Sequence, residues 1–331
     1  MHISNKNNPK LIFISGLNKK HFAVPILNFL SKKIELSISE SKYNFIHKIR
    51  AKYKDIIWVE WARKHAKYFS YKIDGNQKLF IRLHRYEIND DVLLKQINWS
   101  NVHTVIFVNS EIEKEFNEKN FNVNTVTIPN AINTSIFNIK NITEKNSLLA
   151  YGQHYNSIKA YDKLINLFVK IIEKDPSFSL TIANQKPIKE NHKEYFDLCN
   201  NLIYKYGLTN KINLLQLDHK NELDKQSNII KLIHNHNAII SYSDIESFHY
   251  AFAEGLLCGL QGFCNGWRKL NPNEFWHTWC YDNQEKMINA ILNWGQLSHY
   301  ERNIISKKNR TYIINNFSSQ VIGEKYFNLF L

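Results

Sequence analysis

The sequence predicts an α/β protein made of two Rossmann-like, doubly wound domains. Its 331 residues are enough for two domains, and 44% hydrophobic with 22% charged residues are typical of a globular chain. Apolar runs of strand length alternate with longer helical stretches on both sides of a polar segment, 138–147. Such alternation indicates parallel sheets covered by helices. We therefore expect an N-terminal domain over 1–140, a C-terminal domain over 141–310 and a final helix within 311–331.

In the first half, apolar runs place strands at 10–15, 55–60, 78–83 and 104–109. A single glycine follows the first run, so the dinucleotide-binding fingerprint is absent. The third run is followed by His84, which stands between Arg82 and Arg85. Because open α/β sheets bind ligands at the carboxyl ends of their strands, His84 is a candidate residue of a functional site.

In the second half, apolar runs place strands at 148–151, 179–183, 211–215, 238–242 and 260–264. Helical stretches are expected at about 160–173, 193–206, 222–235, 284–294 and 318–330. Each domain then has the strand–helix alternation of a doubly wound fold.

The stretch 238–265 is the most informative part of the chain, because it places two carboxylates around a predicted helix N-terminus. Its pattern is a strand, a loop, a mostly apolar helix over 248–258, a stop at Gly259 and a second strand. Asp244 and Ser247 are suited to cap the helix, and the free N–H groups there favour a phosphate. Glu246 lies on the loop, and Glu254 is expected about two turns inside the helix.

Glu254 has two interpretations from the sequence. An unpaired carboxylate on an apolar helix is costly, so it needs a partner. That partner is either a buried Lys or Arg of the same domain or the hydroxyl groups of a ligand, as when acidic residues bind ribose in nucleotide-binding folds. Both interpretations stay open at this point.

The same stretch resembles the donor-site signature of retaining GT-B glycosyltransferases of family four. The matching residues are Ser243, Glu246, Phe248, Glu254, Cys258, Gly259 and Leu260, and the chain departs from the pattern at Gln261 and Gly262. The run 126–137 is similar to the interdomain motif of that family, and the run around His84 resembles its segment with an active-site histidine. The resemblance implies a GT-B fold, in which the two domains face a cleft and the last helix returns to the first domain.

The resemblance also implies a site for a nucleotide-sugar donor, with a UDP-sugar favoured. Lys159 matches a lysine that grips the donor diphosphate, while Gln153 or His154, after Gly152, stands where the family has an arginine. Backbone amides near Ser247 and Phe248 would add to the phosphate site. Glu254 would hold ribose hydroxyls, Glu246 would lie near the donor sugar, and His84 would line the reacting centre from the first domain.

The activity so implied is retaining transfer of a sugar to a glycan or lipid-linked acceptor, in the synthesis of bacterial cell-surface glycans. No cofactor and no metal are expected, because Lys159 and helix amides meet the charge on the leaving diphosphate. Asn89-Asp90-Asp91 resembles a metal motif only superficially, and a solvated helix cap is the preferred interpretation. The missing arginine motivates an alternative, a non-catalytic accessory subunit that binds a nucleotide sugar or glycan. An epimerase on the same fold is a third interpretation.

The net charge of +13, from 43 Lys and Arg against 30 Asp and Glu, favours acidic partners. Basic residues interleaved with aromatic ones are dense over 19–72. They form either solvated helix faces over an aromatic core or a surface that docks on anionic lipid or a phosphorylated acceptor. Nucleic acid is not expected as a partner, since no binding motif accompanies the charge.

The compartment is expected to be the cytoplasm, with possible peripheral attachment to the inner face of the cell membrane. The four cysteines form no C-x-x-C pair, which favours reduced, structural thiols. No apolar run approaches 18 residues and the first residues lack a long apolar segment, so neither a membrane span nor a signal peptide is expected.

Overall fold

A computed structural model of the chain describes residues 9–219, 221–267 and 271–331. It divides into two compact units. Unit 1 comprises the described residues up to Asn133 together with Asn316–Leu331, and unit 2 comprises those of Thr134–Asn315. The sequence placed the first boundary at 140 and 141 and the second at 310 and 311.

Unit 1 is built on a parallel six-stranded sheet with the order β2-β1-β3-β4-β5-β6. Its strands are β1 (Lys10–Ser15), β2 (Glu35–Glu40), β3 (Ile56–Glu60), β4 (Lys78–Leu83), β5 (Thr104–Phe107) and β6 (Thr125–Thr127). Its helices before the last are α1 (Val24–Leu30), α2 (Asn44–Ala51), α3 (Lys64–Lys72), α4 (Arg85–Ile88), α5 (Asp91–Leu94) and α6 (Ser110–Asn117). Buried apolar clusters cover both faces of the sheet, as expected for a doubly wound unit.

The last helix, α14 (Ser319–Phe330), packs in unit 1, although it follows unit 2 in the chain. Tyr326 of this helix stacks on the buried Trp58 of β3 with ring centroids 4.9 Å apart. Gly323 lies against Phe29 of α1 so closely that a Cβ atom would be 2.3 Å from the Phe29 ring. A larger residue at 323 would therefore force the two helices apart.

Unit 2 contains a second parallel six-stranded sheet, with the order β12-β11-β10-β7-β8-β9. Its strands are β7 (Ser147–Tyr151), β8 (Ser179–Gln185), β9 (Ile212–Leu217), β10 (Ala238–Ser241), β11 (Gln261–Asn265) and β12 (Cys280–Tyr281). Its helices are α7 (Tyr161–Lys174), α8 (Glu190–Lys205), α9 (Glu222–His234), α10 (Tyr250–Leu257), α11 (Pro272–Phe275), α12 (Gln284–Gly295) and α13 (His299–Phe317). All four cysteines are free thiols, as predicted.

The predicted α/β fold with two doubly wound domains is confirmed, and one boundary near the candidate site needs correction. The apolar helix begins at Tyr250 and not at 248, and its N-cap is His249 in place of Asp244 or Ser247. Glu254 therefore lies about one turn inside α10, not two. Within the described ranges, no helix is both long enough and apolar enough to span a bilayer.

Candidate functional site

The carboxyl ends of β7 and β10, which are neighbours in the unit 2 sheet, open on a small pocket. The space between its lining residues is about 210 Å³, a volume that includes open solvent. It is lined by Ala150, Tyr151, Lys159, Tyr161, Ile240, Ser241, Tyr242, Ser243 and His249. This is the edge at which open α/β sheets bind ligands.

Lys159 enters this pocket from a short, well-defined turn. It is the last residue of a single 3₁₀ turn, Ser157–Lys159, where the Asn156 side chain accepts a hydrogen bond from the Lys159 N–H at 3.2 Å. Ala160 then takes the left-handed conformation, with φ of 47°, and directs the chain into α7. The Lys159 ammonium lies 2.6 Å from Oε1 of Glu246, and both side chains are mostly buried, with 22% and 12% exposed.

Glu246 is held as a carboxylate by its neighbours. Burial alone would raise its pKa, but His249, Lys159 and a hydrogen bond from Ser243 outweigh burial and lower the pKa to about 2. The side chain therefore stays negatively charged at every pH at which the protein is expected to work. Glu246 and Lys159, separately predicted as site residues, are brought together by the fold.

His249 is a pocket residue that the sequence analysis missed. Its φ of 64° and ψ of 72° are left-handed, a conformation that non-glycine residues seldom adopt. Nδ1 accepts a hydrogen bond from the Phe252 N–H at 3.1 Å, which caps α10. Nε2 lies 2.7 Å from Oγ of Ser241 and 3.6 Å from Oε1 of Glu246. The sequence did offer a signal for this cap, because His249 is a polar residue immediately before the apolar run. Histidine is also among the residues enriched in the left-handed conformation.

The His249 ring is neutral in this setting. Burial lowers its pKa, and although the Glu246 carboxylate raises it in part, the result is a pKa of about 4. Because the backbone N–H of Phe252 can only donate, Nδ1 must be the acceptor, and the proton of the neutral ring is on Nε2. Nε2–H therefore donates to Oγ of Ser241.

Glu254 lies close to the same pocket and has a tyrosine as its partner. The hydroxyl of Tyr151, a pocket residue, donates a hydrogen bond to Oε2 of Glu254. Burial raises the pKa of Glu254 to about 7, even though the Tyr151 hydrogen bond lowers it in part. Of the two interpretations left open by the sequence, the hydrogen-bonded Lys or Arg is replaced by a tyrosine, and the neutral hydroxyl leaves this carboxyl poised between its charged and protonated forms near pH 7.

The residues predicted to bind the diphosphate beside Lys159 are Gly152, Gln153 and His154, and the structure gives them different surroundings. Gly152 lies beside Lys159, because a Cβ at Gly152 would be 3.5 Å from Cε of that lysine and 3.2 Å from the Tyr161 hydroxyl oxygen. Gln153 is exposed, and the His154 ring lies 5.5 Å from that of His192 on α8. Neither Gln153 nor His154 is among the residues that line the pocket.

Ser247 and Phe248 precede α10 and do not form its first turn, so the expectation of helix amides at these positions needs correction. Phe248 is buried and packs edge-on against Tyr250, with centroids 5.2 Å apart, and its ring is tilted against that of Trp276 at 5.6 Å. The amides of the first turn belong to Tyr250 and the residues after it.

In unit 1, His84 follows β4 and belongs to a buried polar cluster. Its Nε2 lies 2.9 Å from Oε1 of Glu60, which also lies 3.4 Å from Arg82, and its ring stacks on Trp61 with centroids 3.9 Å apart. Arg82 in turn donates a hydrogen bond to the Asn130 side chain. The role of His84 in a reacting centre stays a prediction of the resemblance.

The acidic pair at Asp90 and Asp91 has the predicted structural role. Asp90 caps α5, its Oδ1 accepting from the Leu93 N–H at 3.0 Å, and Asp91 forms a 2.6 Å ion pair with Lys119. Across the described part of the chain, no group of three or more His, Cys, Asp or Glu residues is arranged to hold a metal ion.

The pocket can therefore serve two kinds of chemical group. The Lys159 ammonium is a donor that suits an anion. The Glu246 and Glu254 carboxyl groups are acceptors that suit hydroxyl groups. A ligand that carries both, with an anionic part and a polyhydroxylated part, fits the arrangement.

No family model and no curated protein matches the chain. Among solved structures, HepE from Anabaena in complex with UDP aligns with a TM-score of 0.76 and 12% identity, over 97% of this chain and 99% of HepE. A glycosyltransferase from Rickettsia africae aligns with a TM-score of 0.71 and 17% identity, over 98% of both chains. TarM aligns with a TM-score of 0.66 and 16% identity over 86% of this chain, which spans only 57% of TarM. At these identities the likeness shows the fold, which is the GT-B fold that the sequence predicted.

Proposed function

We propose that this chain of GT-B fold is a retaining glycosyltransferase that moves a sugar from a nucleotide-sugar donor, preferably a UDP-sugar, to a glycan or lipid-linked acceptor. The observation that carries the proposal is that Lys159, which lines the pocket where β7 and β10 end, is paired with Glu246. HepE, whose fold the chain shares, has been solved with UDP and with UDP-glucose. The choice of UDP rests on that likeness.

Lys159 is assigned to the leaving group. Transfer breaks the bond between the sugar carbon and the diphosphate oxygen, so negative charge grows on the departing nucleoside diphosphate. A fixed cation beside that oxygen stabilises the transition state more than the ground state. Lys159 is already inside the pocket and is paired with a carboxylate that a bound diphosphate would replace as its partner. Since Gln153 and His154 do not line the pocket, Lys159 carries this role without the usual arginine.

The two glutamates are assigned to the polyhydroxylated parts of the donor. Glu254 would hold ribose hydroxyls, and its Tyr151 partner keeps the carboxyl oriented at the pocket wall. Glu246, beside Lys159, would lie near the transferred sugar and accept from its hydroxyl groups. Both assignments use carboxyl oxygens as acceptors, which is how acidic residues bind ribose in nucleotide folds.

We also propose that catalysis is independent of metal ions, because Lys159 and the α10 amides supply the positive charge. Activity in EDTA should then equal activity in untreated samples. A complete loss in EDTA that Mn²⁺ or Mg²⁺ restores would contradict this and return attention to Asp90 and Asp91.

The acceptor is proposed to be presented at an anionic membrane surface, in the synthesis of bacterial cell-surface glycans, with the enzyme on the cytoplasmic side. The supporting feature is the outer face of α2 and the residues after it, where Phe45, Ile49 and Tyr53 are 60%, 69% and 75% exposed. Lys48 and Lys52 lie among them and are exposed as well. Exposed apolar and aromatic side chains between lysines suit an interface of anionic lipid.

The alternative function is a non-catalytic subunit that binds a nucleotide sugar or glycan. It is favoured by the absence of an arginine and by the lack of pocket contacts at Gln153 and His154. Incubation of the purified protein with a panel of nucleotide sugars, with and without candidate acceptors, separates the two functions. Slow release of UDP from one donor would support the enzyme. Tight binding with no release from any donor would support the accessory subunit and contradict the enzyme.

A further inference from the structure

The left-handed backbone of His249 marks this residue for attention. A non-glycine residue in this conformation is strained, and such residues cluster at functional sites. His249 combines the conformation with burial, since only 8% of the residue is exposed, and with a place on the pocket wall. Phe252 donates to its ring, so part of its role is to cap α10.

Capping alone does not account for the other side of the ring, which begins a directed series of hydrogen bonds. Nε2–H donates to Oγ of Ser241 at 2.7 Å, and the Ser241 hydroxyl donates to Oγ of Ser243 at 3.2 Å. The Ser243 hydroxyl donates to the Glu246 carboxylate. Every member donates once toward Glu246, and the direction is set by the Phe252 N–H, which can only donate.

The same ring also lies close to Glu246 directly. Nε2 is 3.6 Å from Oε1, the oxygen that Lys159 contacts at 2.6 Å. If Lys159 turns to a bound diphosphate, Glu246 loses its closest cation in a mostly buried place. The Ser243 hydroxyl, which the His249 ring orients through Ser241, then remains as a donor to the carboxylate.

We propose that His249 is a positioning residue that holds Glu246 in place while Lys159 binds the leaving diphosphate. This role rests on the proposed function. It explains how Glu246 keeps its position when Lys159 leaves it for the diphosphate. The ring acts through its Nε2–H, which donates to Ser241 and so orients the Ser241 and Ser243 hydroxyls toward the Glu246 carboxylate. It touches neither donor nor acceptor in this role.

The test uses His249→Asn, with His236→Asn as the matched control. Asparagine tolerates the left-handed conformation and can cap a helix, but its shorter side chain lacks the Nε2–H group. His236 is also 8% exposed and precedes β10 at the opposite end of the strand, with ring bonds to Leu232 and Thr181 at 2.7 and 2.8 Å. Both variants remove a buried histidine that bonds on both ring nitrogens.

We expect His249→Asn to lower kcat about tenfold or more, with little change in the donor KM. An effect of this size is typical of residues coupled in one hydrogen-bond network. Ser241→Ala, which leaves the strained backbone untouched, should lower kcat by a similar factor and add little to His249→Asn. His236→Asn should change the melting temperature and leave kcat as in the wild type. In the wild type, saturating UDP should shift the ¹⁵N resonance of Nε2, identified by its loss in His249→Asn.

The outcomes separate this inference from the proposed function. If the wild type transfers sugar, and both folded His249→Asn and Ser241→Ala transfer it with wild-type kcat, the positioning role is wrong and the enzyme stands. An Nε2 resonance that does not respond to saturating UDP also contradicts the role. If the wild type neither binds nor turns over any nucleotide sugar, the proposed function falls, and the role of His249 falls with it.

Discussion

Glu60 of unit 1 and Glu246 of unit 2 occupy comparable places, at or after the carboxyl end of a central parallel strand. Glu60 is the last residue of β3, its side chain is fully buried, and Arg82 beside it is fully buried as well. Glu246 lies on the loop after β10, and its partner Lys159 is 22% exposed at a pocket. The same topology thus yields a closed charge cluster in one unit and an accessible one in the other.

The difference lies in where the cation comes from. Arg82 is a strand residue whose guanidinium is confined between Glu60 and Asn130, so it can neither leave its partner nor reach solvent. Lys159 comes from a single turn on a flexible stem and can exchange one anion for another. We infer that the first cluster serves stability and the second serves binding.

The largest effect is expected for Glu60→Ala. Removing Glu60 leaves the buried Arg82 guanidinium without its carboxylate counter-charge, which typically costs about 3–5 kcal/mol of the free energy of unfolding. Glu246→Ala should cost much less, because Lys159 can reach water. Urea denaturation of both variants measures the difference. Equal destabilisation by the two substitutions would break the comparison.

Lys159→Ala should lower kcat by about 100-fold to 1000-fold, the usual cost of removing one well-placed electrostatic donor. It should raise the donor KM less, because the charge it meets is greatest in the transition state. Lys163→Ala is the control, since Lys163 forms a similar 2.7 Å pair with Asp244 but is 52% exposed. A similar loss of kcat in both variants would show that any lysine paired with the 244–246 loop supports activity, and that a place in the pocket is not required.

Glu254 gives a pH-dependent prediction. Its folded pKa, about 7, is raised from 4.5, so the stability it contributes is present below pH 4.5 and is lost as pH rises through 7. One pKa unit corresponds to about 1.4 kcal/mol. The melting temperature of Glu254→Gln should therefore fall less between pH 5 and pH 8 than that of the wild type. His249, whose pKa is lowered, is present in both proteins, so its titration cancels when the two melting-temperature curves are subtracted.

The same variant separates ligand binding from structure. If Glu254 holds ribose, Glu254→Gln raises the donor KM and leaves kcat nearly unchanged. A lower melting temperature at neutral pH with wild-type donor affinity would instead make Glu254 a purely structural partner of Tyr151. Melting temperature and donor Kd should be measured on the same samples.

The smallest expected effect is on the binding of anionic lipid by the exposed face of α2 in unit 1. Phe45→Ser combined with Ile49→Ser should weaken binding to vesicles of anionic lipid about tenfold or more, since buried apolar area is lost. Tyr204→Ser is the control, because Tyr204 is 81% exposed on α8 of unit 2 and lies beside Lys205. Wild-type binding should fall steeply with salt. Binding that neither salt nor the double substitution reduces would leave α2 as an ordinary solvated helix.

Most of the fold follows from buried apolar runs, and the parts that were missed lack such runs. Strands β1 and β4 begin and end where predicted, because each is continuously buried after its first residue. The edge strand β2 was missed, since its Glu-Leu-Ser-Ile-Ser-Glu sequence offers only two apolar residues. Helix α13 was missed because Arg302, Ser306 and Asn309, which are polar, form part of its buried face.

Lys159 and Glu246 could be singled out from the sequence as candidates, but their pairing could not. Lys159 and Glu246 are 87 positions apart, and their contact depends on the register of β7 beside β10, which no local pattern encodes. Tyr151 as the partner of Glu254 has the same origin. His249 was missed because the capping preference for Asp and Ser pointed to earlier residues, whereas a strained backbone is visible only in the structure.

The central claim is that Lys159 meets the charge of a departing nucleoside diphosphate in the unit 2 pocket. Calorimetric titration of UDP and of a UDP-sugar into the wild type, Lys159→Ala and Lys163→Ala tests it most directly. UDP carries the additional charge of the leaving group, so Lys159→Ala should lose more affinity for UDP than for the UDP-sugar, while Lys163→Ala binds both as the wild type does. Wild-type affinity of Lys159→Ala for UDP would contradict the claim.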